Sequence, residues 1–275
     1  MKLAQFFDNT KLRLGIIQEE KLRPLSFTGD FHAWLAADKP LATKEPSLPL
    51  KQVKLSAPVN RPGKIIAIGL NYAEHAAEGQ RDNPEQPLIF AKFPSAVIGP
   101  DEDITWSSKV TAKVDFEAEL AVVIGEKTSS CKAEEALSKV LGYTCGNDVS
   151  ARDLQFGDKQ WVRGKSLDTF CPLGPWLVTA DELKDPQKLA IRSRLNGNLM
   201  QESNTSNMIF PVAELVSFLS YHFTLEPGDL IMTGTPSGVG VFRDPPLFMK
   251  DGDIIEIEIE GIGTLKNCCR QLGNH

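Results

Sequence analysis

Hydrophobic and polar residues alternate through VDFEAELAVVIG, residues 114–125, with the period of two that is typical of a β-strand. The alternation places Asp115, Glu117 and Glu119 on one face, and that face continues into apolar positions, so we expect it to be half buried. Like charges two residues apart on a strand are roughly 7 Å apart. If they are buried, they need a cation between them, or one carboxyl must keep its proton. A solvated acidic face is the ordinary alternative.

The rest of the chain predicts short strands and few helices. The apolar run at residues 64–70 predicts a buried strand, and Asn196-Gly197 predicts a tight hairpin between two runs of strand character. Apolar residues recur at helical spacing in residues 210–223, and residues 132–144 also predict a helix. Because strands do not alternate regularly with helices, we expect a mostly β fold with peripheral helices (α+β).

The first part of the chain predicts a separate, smaller unit. Residues 1–60 suggest short strands with a short helix over residues 29–40. Prolines and a basic cluster in residues 48–70 indicate the connection to the rest of the chain. The 275 residues suffice for a large domain and a small one. We therefore expect a small N-terminal domain over residues 1–60 and a main domain over residues 61–275.

Composition excludes several classes of partner. With 41% hydrophobic and 24% charged residues the chain is typical of a globular protein. The net charge of −6 and pI near 5.4 argue against nucleic acid and anionic membrane surfaces as partners, because both favour a basic face. No apolar run approaches the roughly 20 residues that span a bilayer, and the N-terminus shows no clear targeting segment. We expect a cytoplasmic protein, with the mitochondrial matrix left open.

Cysteine and histidine usage narrows the metal chemistry. The five cysteines are an odd number without repeated spacing, which indicates a reduced intracellular protein. No two of the four histidines have ligand spacing, so a histidine-rich zinc site is not expected. Oxygen ligands from a rigid strand suit a hard divalent cation such as Mg²⁺ or Mn²⁺. Any bound metal is therefore expected to be held by carboxylates.

A further acidic position is expected at the end of a strand. Residues 142–155, GYTCGNDVSARDLQ, predict a strand that leads into a helix, and Ser150 with Asp153 fits a capping box at the helix start. Asp148 then lies at the strand end, where it can reach the carboxylates of a neighbouring strand. Three fixed carboxylates leave positions for water and a chelating substrate. A plain turn residue is an equally good reading of Asp148 alone.

Two polar segments add candidate chemistry. In residues 69–79, GLNYAEHAAEG, His75 and Glu78 lie on one helical turn, so the carboxylate can orient the imidazole and raise its basicity. Glycines at both ends would let this segment move as a lid, although a surface pair is the ordinary alternative. Residues 233–240, TGTPSGVG, follow an apolar strand, and their amides with Thr235 could hold an anionic group. A tight turn explains this segment equally well.

Six motifs in unbroken order resemble the fumarylacetoacetate hydrolase family, and within it the branch called fumarylacetoacetate hydrolase domain-containing protein 2. They cover about residues 60–270 and read GLNYAEH, DFEAELAVVIG, NDVSARDLQ, GKSLDTFCPLGP, LNGNLMQESNTSNMIF and LEPGDLIMTGTPSGVGVF. The resemblance implies a mixed β-sandwich roll of the family's C-terminal type, with a small N-terminal domain. It also implies a homodimer.

The resemblance also implies roles for individual residues. It places a divalent metal ion, normally Mg²⁺ or Mn²⁺, at Glu117, Glu119 and Asp148. It implies a water-activating dyad of His75 and Glu78, a structural role for Asp115, and substrate contacts at Arg152, Gln155, Lys165 and Thr235. Lys165 is also counted as catalytic, because its ammonium would add a second positive charge near the reacting group.

The implied substrate is a small 2-oxo or 1,3-diketo acid that chelates the cation. We expect C–C bond hydrolysis of an acylpyruvate or fumarylacetoacetate type of substrate, through an enolate that the cation stabilises. Oxaloacetate decarboxylation and keto–enol tautomerisation proceed through the same enolate and are close alternatives. A metal-binding β fold with a structural or regulatory role is the alternative that is not an enzyme.

Overall fold

Strands form most of the regular structure in residues 1–273, the part of the chain that the computed structural model describes. The strands are β1 (Lys2–Asp8), β2 (Lys11–Gln18), β3 (Lys21–Pro24), β4 (Leu48–Pro49), β5 (Leu55–Ser56), β6 (Ile65–Gly69), β7 (Leu88–Lys92), β8 (Val97–Ile98), β9 (Ile104–Ser107), β10 (Val114–Asp115), β11 (Ala118–Ile124), β12 (Val140–Asn147), β13 (Ser150–Ala151), β14 (Cys171–Thr179), β15 (Ala190–Leu195), β16 (Asn198–Asn204), β17 (Leu230–Met232), β18 (Ile254–Ile259) and β19 (Gly263–Leu272). The α-helices are α1 (Phe31–Ala36), α2 (Ala73–Glu78), α3 (Ala133–Ala136), α4 (Arg152–Gly157), α5 (Val162–Lys165) and α6 (Val212–His222). Short 3₁₀ turns lie at Leu50–Gln52, Pro94–Ala96, Leu137–Lys139, Thr205–Asn207 and Gly240–Phe242.

The strands form two main sheets. The larger one has the order β4-β3-β2-β1-β14-β12-β11-β17-β6-β7, with β5 paired to β1 and β8 paired to β14. The smaller one has the order β16-β15-β18-β19-β9, and β10 pairs with β13 alone. Most pairs are antiparallel, but β17 with β6, β14 with β8 and β19 with β9 are parallel, so both sheets are mixed. The prediction of a mostly β fold with peripheral helices is confirmed.

Strand β11 lies inside the larger sheet, and its alternation divides the hydrophobic core. On one face Leu120 packs in a buried cluster shared with Ile257 of the smaller sheet and with Leu215 of α6. On the other face Ala121 packs in a second buried cluster that contains Trp34 of α1. The expected half-buried strand is therefore buried on both faces, because the smaller sheet covers one face and the N-terminal part covers the other. Charges carried by this strand must be balanced by protein groups or ligands.

Residues 1–60 are joined to the main part by strand pairing. Strand β1 pairs antiparallel with β14, with Lys2 opposite Val178. The short helix predicted in residues 29–40 is α1, whose N-cap Asp30 accepts a hydrogen bond from the Ala33 amide at 3.0 Å. The first strands thus extend the larger sheet, and the domain boundary near residue 60 stays a prediction.

The other predicted elements match the structure, with one exception. The run at residues 64–70 forms β6, residues 210–223 contain α6, and the hairpin joins β15 to β16 through Asn196 and Gly197, both in the left-handed region (φ 52° and 79°). The helix predicted over residues 132–144 is wrong in its second half. There the chain becomes strand β12 from Val140 onward, because that stretch pairs with β11 and β14 inside the sheet.

Candidate active site

Three buried carboxylates meet at the end of β12 and the start of β11. Oxygen atoms of Glu117, Glu119 and Asp148 lie within 4.8 Å of one another. The strand register brings them together, because Ala118 lies opposite Asn147 and the Asp148 amide donates to the Glu117 carbonyl oxygen at 3.0 Å. The structure thus places the three predicted metal ligands at one point.

Asp115 belongs to the same alternating stretch but does not join this triad. Its carboxylate accepts hydrogen bonds from the amides of Gly240 and Val241, at 2.8 and 2.9 Å, and from Arg152 Nε at 2.8 Å. Residues 116–117 separate its strand, β10, from β11 and break the regular alternation. Asp115 therefore ties the 3₁₀ turn after the glycine-rich loop to the start of α4, as a structural residue would.

The predicted capping box at α4 is wrong. The N-cap is Ala151, which makes no side-chain hydrogen bond to the helix. Ser150 lies in β13 opposite Asp115, and its hydroxyl donates to the carbonyl oxygen of Asp148 at 2.9 Å. The Asp153 carboxylate instead accepts from the Thr111 hydroxyl at 2.6 Å. The strand pairing fixes Ser150 where its side chain cannot serve the helix, and both polar groups stabilise loops.

Two buried lysines neutralise part of the acidic site. Lys165 Nζ donates to Glu117 Oε2 at 2.8 Å and to Asp148 Oδ2 at 2.7 Å. Lys92 Nζ donates to Asp148 Oδ1 at 2.5 Å and to the backbone carbonyl of Lys165. Sequence reasoning missed Lys92, although a single lysine within the apolar run LIFAKF is a signal of a buried, paired charge.

The three carboxylates have different electrostatic surroundings. Burial alone would raise the pKa of Glu117, but the positive charges of Lys165 and Arg152 outweigh it and lower that pKa. Burial, together with the negative charges of Asp148 and Glu117, holds the pKa of Glu119 well above its ordinary value. The Glu119 carboxylate accepts a hydrogen bond from the Gly234 amide at 2.9 Å. Within residues 1–273 it forms no ion pair with a lysine or an arginine.

The donor set fits a hard divalent cation. Around the site, four buried carboxyl groups face three buried cations, so full ionisation would leave one negative charge without a partner in the described residues (Asp115, Glu117, Glu119 and Asp148 against Lys92, Arg152 and Lys165). Carboxylate oxygens are the ligands that Mg²⁺ and Mn²⁺ prefer. Glu119 is the only one of these four carboxylates that has no lysine or arginine partner among the described residues. A cation bound there would relieve the repulsion between the carboxylates most.

A histidine–glutamate pair lies beside this site. Both residues lie on α2, and His75 Nδ1 is 2.7 Å from Glu78 Oε1. The other oxygen of Glu78 accepts the Gly238 amide at 2.9 Å, so the glycine-rich loop fixes the carboxylate. His75 Nε2 has no hydrogen-bond partner among residues 1–273. The amides of Gly234 and Gly238 thus donate to the carboxylates of Glu119 and Glu78, and one nitrogen of the imidazole stays without a partner among the described residues.

One cavity connects the candidate residues. Seven of the nine predicted site residues line it, whereas Glu78 and Asp148 lie behind this lining; the seven are His75, Glu117, Glu119, Arg152, Gln155, Lys165 and Thr235. The lining also contains residues that sequence reasoning missed, namely Arg81, Phe90, Phe156, Trp161 and Phe242. These five come from separate segments and share no periodicity, so the sequence pattern gave no signal for them.

The predicted substrate contacts are held by hydrogen bonds. Arg152 Nη1 donates to Gln155 Oε1 at 2.9 Å and lies 2.7 Å from Glu117 Oε1, whereas its buried Nη2 has no partner among the described residues. The Thr235 hydroxyl accepts from Gln201 Nε2 at 2.7 Å. Arg152, which lines the cavity, therefore has one side of its guanidinium anchored and one buried donor without a partner among the described residues.

Comparison with known proteins agrees with this site. Residues 64–270 match the fumarylacetoacetate hydrolase C-terminal family, and the chain belongs to that family. It is 51% identical over 229 residues to a mitochondrial oxaloacetate tautomerase of Bos taurus, covering 82% of this chain and 73% of the relative. It is 47% identical over 233 residues to fumarylacetoacetate hydrolase domain-containing protein 2 of Pongo abelii, covering 84% and 74%. The predicted family and branch are confirmed.

A solved structure extends the likeness to the N-terminal part. The fumarylacetoacetate hydrolase of Exiguobacterium antarcticum superposes with a TM-score of 0.91 and 36% identity, over 99% of this chain and 100% of that one. The relatives are enzymes, and the chain is an enzyme of this family. The alternative of a purely structural or regulatory metal-binding fold is thereby set aside.

Proposed function

We propose that the enzyme catalyses the keto–enol tautomerisation of a small 2-oxo acid of the oxaloacetate type. The observation that carries the proposal is the His75–Glu78 pair. Its imidazole has one nitrogen without a partner among the described residues, and His75 lines the same cavity as the buried Glu117 and Glu119. The name of the bovine relative, an oxaloacetate tautomerase at 51% identity, supports this reaction over the C–C hydrolysis that the sequence analysis ranked first.

A divalent cation, Mg²⁺ or Mn²⁺, would be held by Glu117, Glu119 and Asp148. When bound, it acts as a Lewis acid toward the carboxylate and keto oxygens of a 2-oxo acid and offsets the charge that develops on the keto oxygen. The surplus negative charge of the site supports this assignment. Three protein ligands leave further positions to the substrate and water.

The chain's own residues supply the proton transfer. Nε2 of His75 takes the proton from C3 of the substrate, and the imidazolium so formed gives a proton to the oxygen on C2, so the reaction moves one proton and consumes no water. Glu78 holds Nδ1 and fixes the orientation of the ring. The Lys165 ammonium, whose pKa stays raised because Asp148 and Glu117 outweigh its burial, adds positive charge beside the site. The free Nη2 of Arg152 is a donor for the substrate carboxylate.

Hydrolysis of a C–C bond in an acylpyruvate is the second candidate. The likeness to the Exiguobacterium hydrolase supports it, and the same residues serve. In that reaction His75 would take a proton from water, and the water would attack the carbonyl next to the bond that breaks. Decarboxylation of oxaloacetate needs the same cation and lysine but no base at C3. The three reactions differ in what His75 does.

The test is an assay in which the enzyme is mixed with enol-oxaloacetate and Mg²⁺ and the loss of the enol's ultraviolet absorbance is followed. Accelerated loss that stops with chelator, without release of pyruvate, is the expected result. Parallel assays with acetylpyruvate and fumarylacetoacetate test hydrolysis. Cleavage of these substrates without acceleration of enol loss would replace tautomerisation by hydrolysis, and release of pyruvate from oxaloacetate would replace it by decarboxylation.

Association into a homodimer stays a prediction, and the edge of the larger sheet supports it. Strand β7 is the last strand of that sheet; its first residue, Leu88, is 40% exposed, and Phe93, which follows its last residue, is 55% exposed. Unpaired edges and apolar patches favour association. We expect sedimentation equilibrium to give twice the mass of the chain at micromolar concentration, and a single-chain mass throughout that range would contradict the prediction.

The cytoplasmic location expected from the sequence also stays a prediction. None of the helices in residues 1–273 has the length and apolar character needed to cross a membrane. The bovine relative is named as a mitochondrial protein, which supports the mitochondrial matrix as the alternative compartment. Fractionation of cells that express the chain would distinguish the two.

A further inference from the structure

The mouth of the cavity is aromatic, in contrast to its charged floor. Four rings from four separate segments line it: Phe90 on β7, Phe156 on α4, Trp161 before α5, and Phe242 at the end of a 3₁₀ turn. Phe156 is 55% exposed and Phe242 is 40% exposed. Two large apolar side chains that face solvent at the rim of a cavity are a feature of ligand-binding sites, because their exposure is unfavourable until something covers them.

Two of these rings pack closely against glycine residues. A Cβ added to Gly69 would lie 2.7 Å from the Trp161 ring, and one added to Gly79 would lie 3.2 Å from the Phe242 ring. Trp161 also meets Phe90 edge-on, with ring centroids 5.3 Å apart. Phe90, Trp161 and Phe242 are therefore held by close contacts with the backbone or with each other, and Phe156 completes the aromatic wall as its most exposed ring.

The wall also stands next to the proposed base. The Phe242 ring centroid is 6.0 Å from that of His75, and Phe90 lies 5.1 Å from Lys165 Nζ. A substrate whose 2-oxo acid head reaches the charged floor would thus place the substituent on C3 among the rings. A flat apolar substituent would cover the exposed rings and stack on them, whereas a carboxylate there would find Arg81 as its cation.

We infer that the aromatic mouth binds a flat apolar group attached to the 2-oxo acid, and that the enzyme therefore also tautomerises aryl-substituted 2-oxo acids of the phenylpyruvate type. This inference rests on the proposed function for its chemistry. The proton transfer is the same as for oxaloacetate. The C3–H bond breaks, the proton goes to His75, and His75 gives a proton to the oxygen on C2. No oxidant, reductant or water is required.

Binding and turnover test the inference separately. Pyruvate and phenylpyruvate share the chelating head and differ by the phenyl group, so their dissociation constants for the Mg²⁺-loaded protein isolate the contribution of the mouth. We expect phenylpyruvate to bind about tenfold or more tightly, from burial and stacking of one ring. Phe156→Ala should reduce this preference by about fivefold to tenfold.

A matched control is Phe223→Ala. Phe223 is 44% exposed but lies outside the cavity, so its removal should leave the preference for phenylpyruvate unchanged. An unchanged melting temperature of Phe156→Ala shows that any loss comes from the missing ring. Phe156→Leu keeps apolar bulk without an aromatic face and should recover part of the preference.

Each outcome decides a different claim. Equal affinity of the wild-type protein for pyruvate and phenylpyruvate overturns the inference, whatever the turnover of oxaloacetate. So does a preference that is undiminished in Phe156→Ala. If phenylpyruvate binds preferentially while neither oxaloacetate nor phenylpyruvate enolises faster, the proposed function fails and recognition of the flat group stands. Accelerated loss of the phenylpyruvate enol that stops with chelator supports both.

Discussion

The floor and the mouth of the cavity are built in opposite ways. The floor consists of buried charges that hold one another, so that Asp148 alone bonds with both Lys92 and Lys165. The mouth consists of half-exposed rings that touch glycines and each other, with Phe156 as the most exposed ring. A group at the floor cannot be changed without leaving a partner unpaired, whereas a ring at the mouth can. We therefore expect the floor to determine the chemistry and the mouth to determine which substrate is preferred.

Removal of Glu119 tests the floor most severely. In Glu119→Ala we expect turnover to fall by about 10³-fold or more, because the metal site loses a ligand. Addition of Mg²⁺ should raise the melting temperature of the wild-type protein, because a ligand that binds only the folded state stabilises it, and should not raise that of the variant. Differential scanning fluorimetry with and without Mg²⁺ measures this directly.

The metal-free form of Glu119→Ala should lose little stability relative to the metal-free wild type, because relief of charge repulsion offsets the lost hydrogen bond from the Gly234 amide. Burial and the neighbouring carboxylates raise the pKa of Glu119, so its ionised form destabilises the fold when no cation is bound. Glu134→Ala, at an exposed acid on α3, is the control and should respond to Mg²⁺ as the wild type does. A normal Mg²⁺ response in Glu119→Ala would remove this residue from the ligand set.

Replacement of His75 separates proton transfer from metal binding. His75→Ala should retain the Mg²⁺ response of the melting temperature but lose turnover by about 10²–10⁴-fold, the range for a positioned general base. Glu78→Gln should lose less, because the base itself is retained and the amide can still hold Nδ1. Turnover at the wild-type rate in His75→Ala, with loss in Lys165→Met, would instead favour decarboxylation through metal and lysine.

The sequence predicted the floor far better than the mouth, for a physical reason. Glu117 and Glu119 are two residues apart in one acidic stretch, and Asp148 directly follows β12, the neighbour of β11, so a single strand pairing brings the triad together. The rings at the mouth lie on four segments that only the tertiary fold joins, and no local pattern marks them. Lys92 is intermediate between the floor and the mouth in how well it could be predicted. The apolar run around it indicates that it is buried, but its partner Asp148 is 56 residues away and no local pattern identifies it.

Replacement of Lys92 tests whether the floor depends on complete pairing. Lys92→Met keeps the length of the side chain but leaves Asp148 Oδ1 and the Lys165 carbonyl oxygen without their donor. Removal of one partner from a buried ion pair costs about 3–5 kcal/mol, and we expect a loss of this size in urea unfolding of the metal-free protein. Lys109→Met, at an exposed lysine, is the control. A loss below about 1 kcal/mol, the usual range for surface changes, would show that Asp148 is held without Lys92.

The smallest effect is expected at the one cationic side chain of the mouth. Arg81 lines the cavity, is exposed, and has no ion-pair partner among the described residues. Its backbone is fixed at the end of α2, because its amide donates to the Ala76 carbonyl at 2.8 Å after Gln80 adopts a left-handed conformation with φ 53°. The guanidinium is therefore presented from the end of the helix that carries His75.

This placement makes Arg81 the available partner for the second carboxylate of oxaloacetate. In Arg81→Gln we expect KM for oxaloacetate to rise about twofold to fivefold with kcat unchanged, since exposed ion pairs contribute about 0.2–1 kcal/mol. The same variant should leave KM for phenylpyruvate unchanged, and added salt should shrink the effect on oxaloacetate, because exposed pairs are screened. Arg61→Gln, at an exposed arginine outside the cavity, controls for the lost charge. An equal rise in KM for both substrates would mean that Arg81 shapes the mouth as a whole and does not distinguish a carboxylate from a ring.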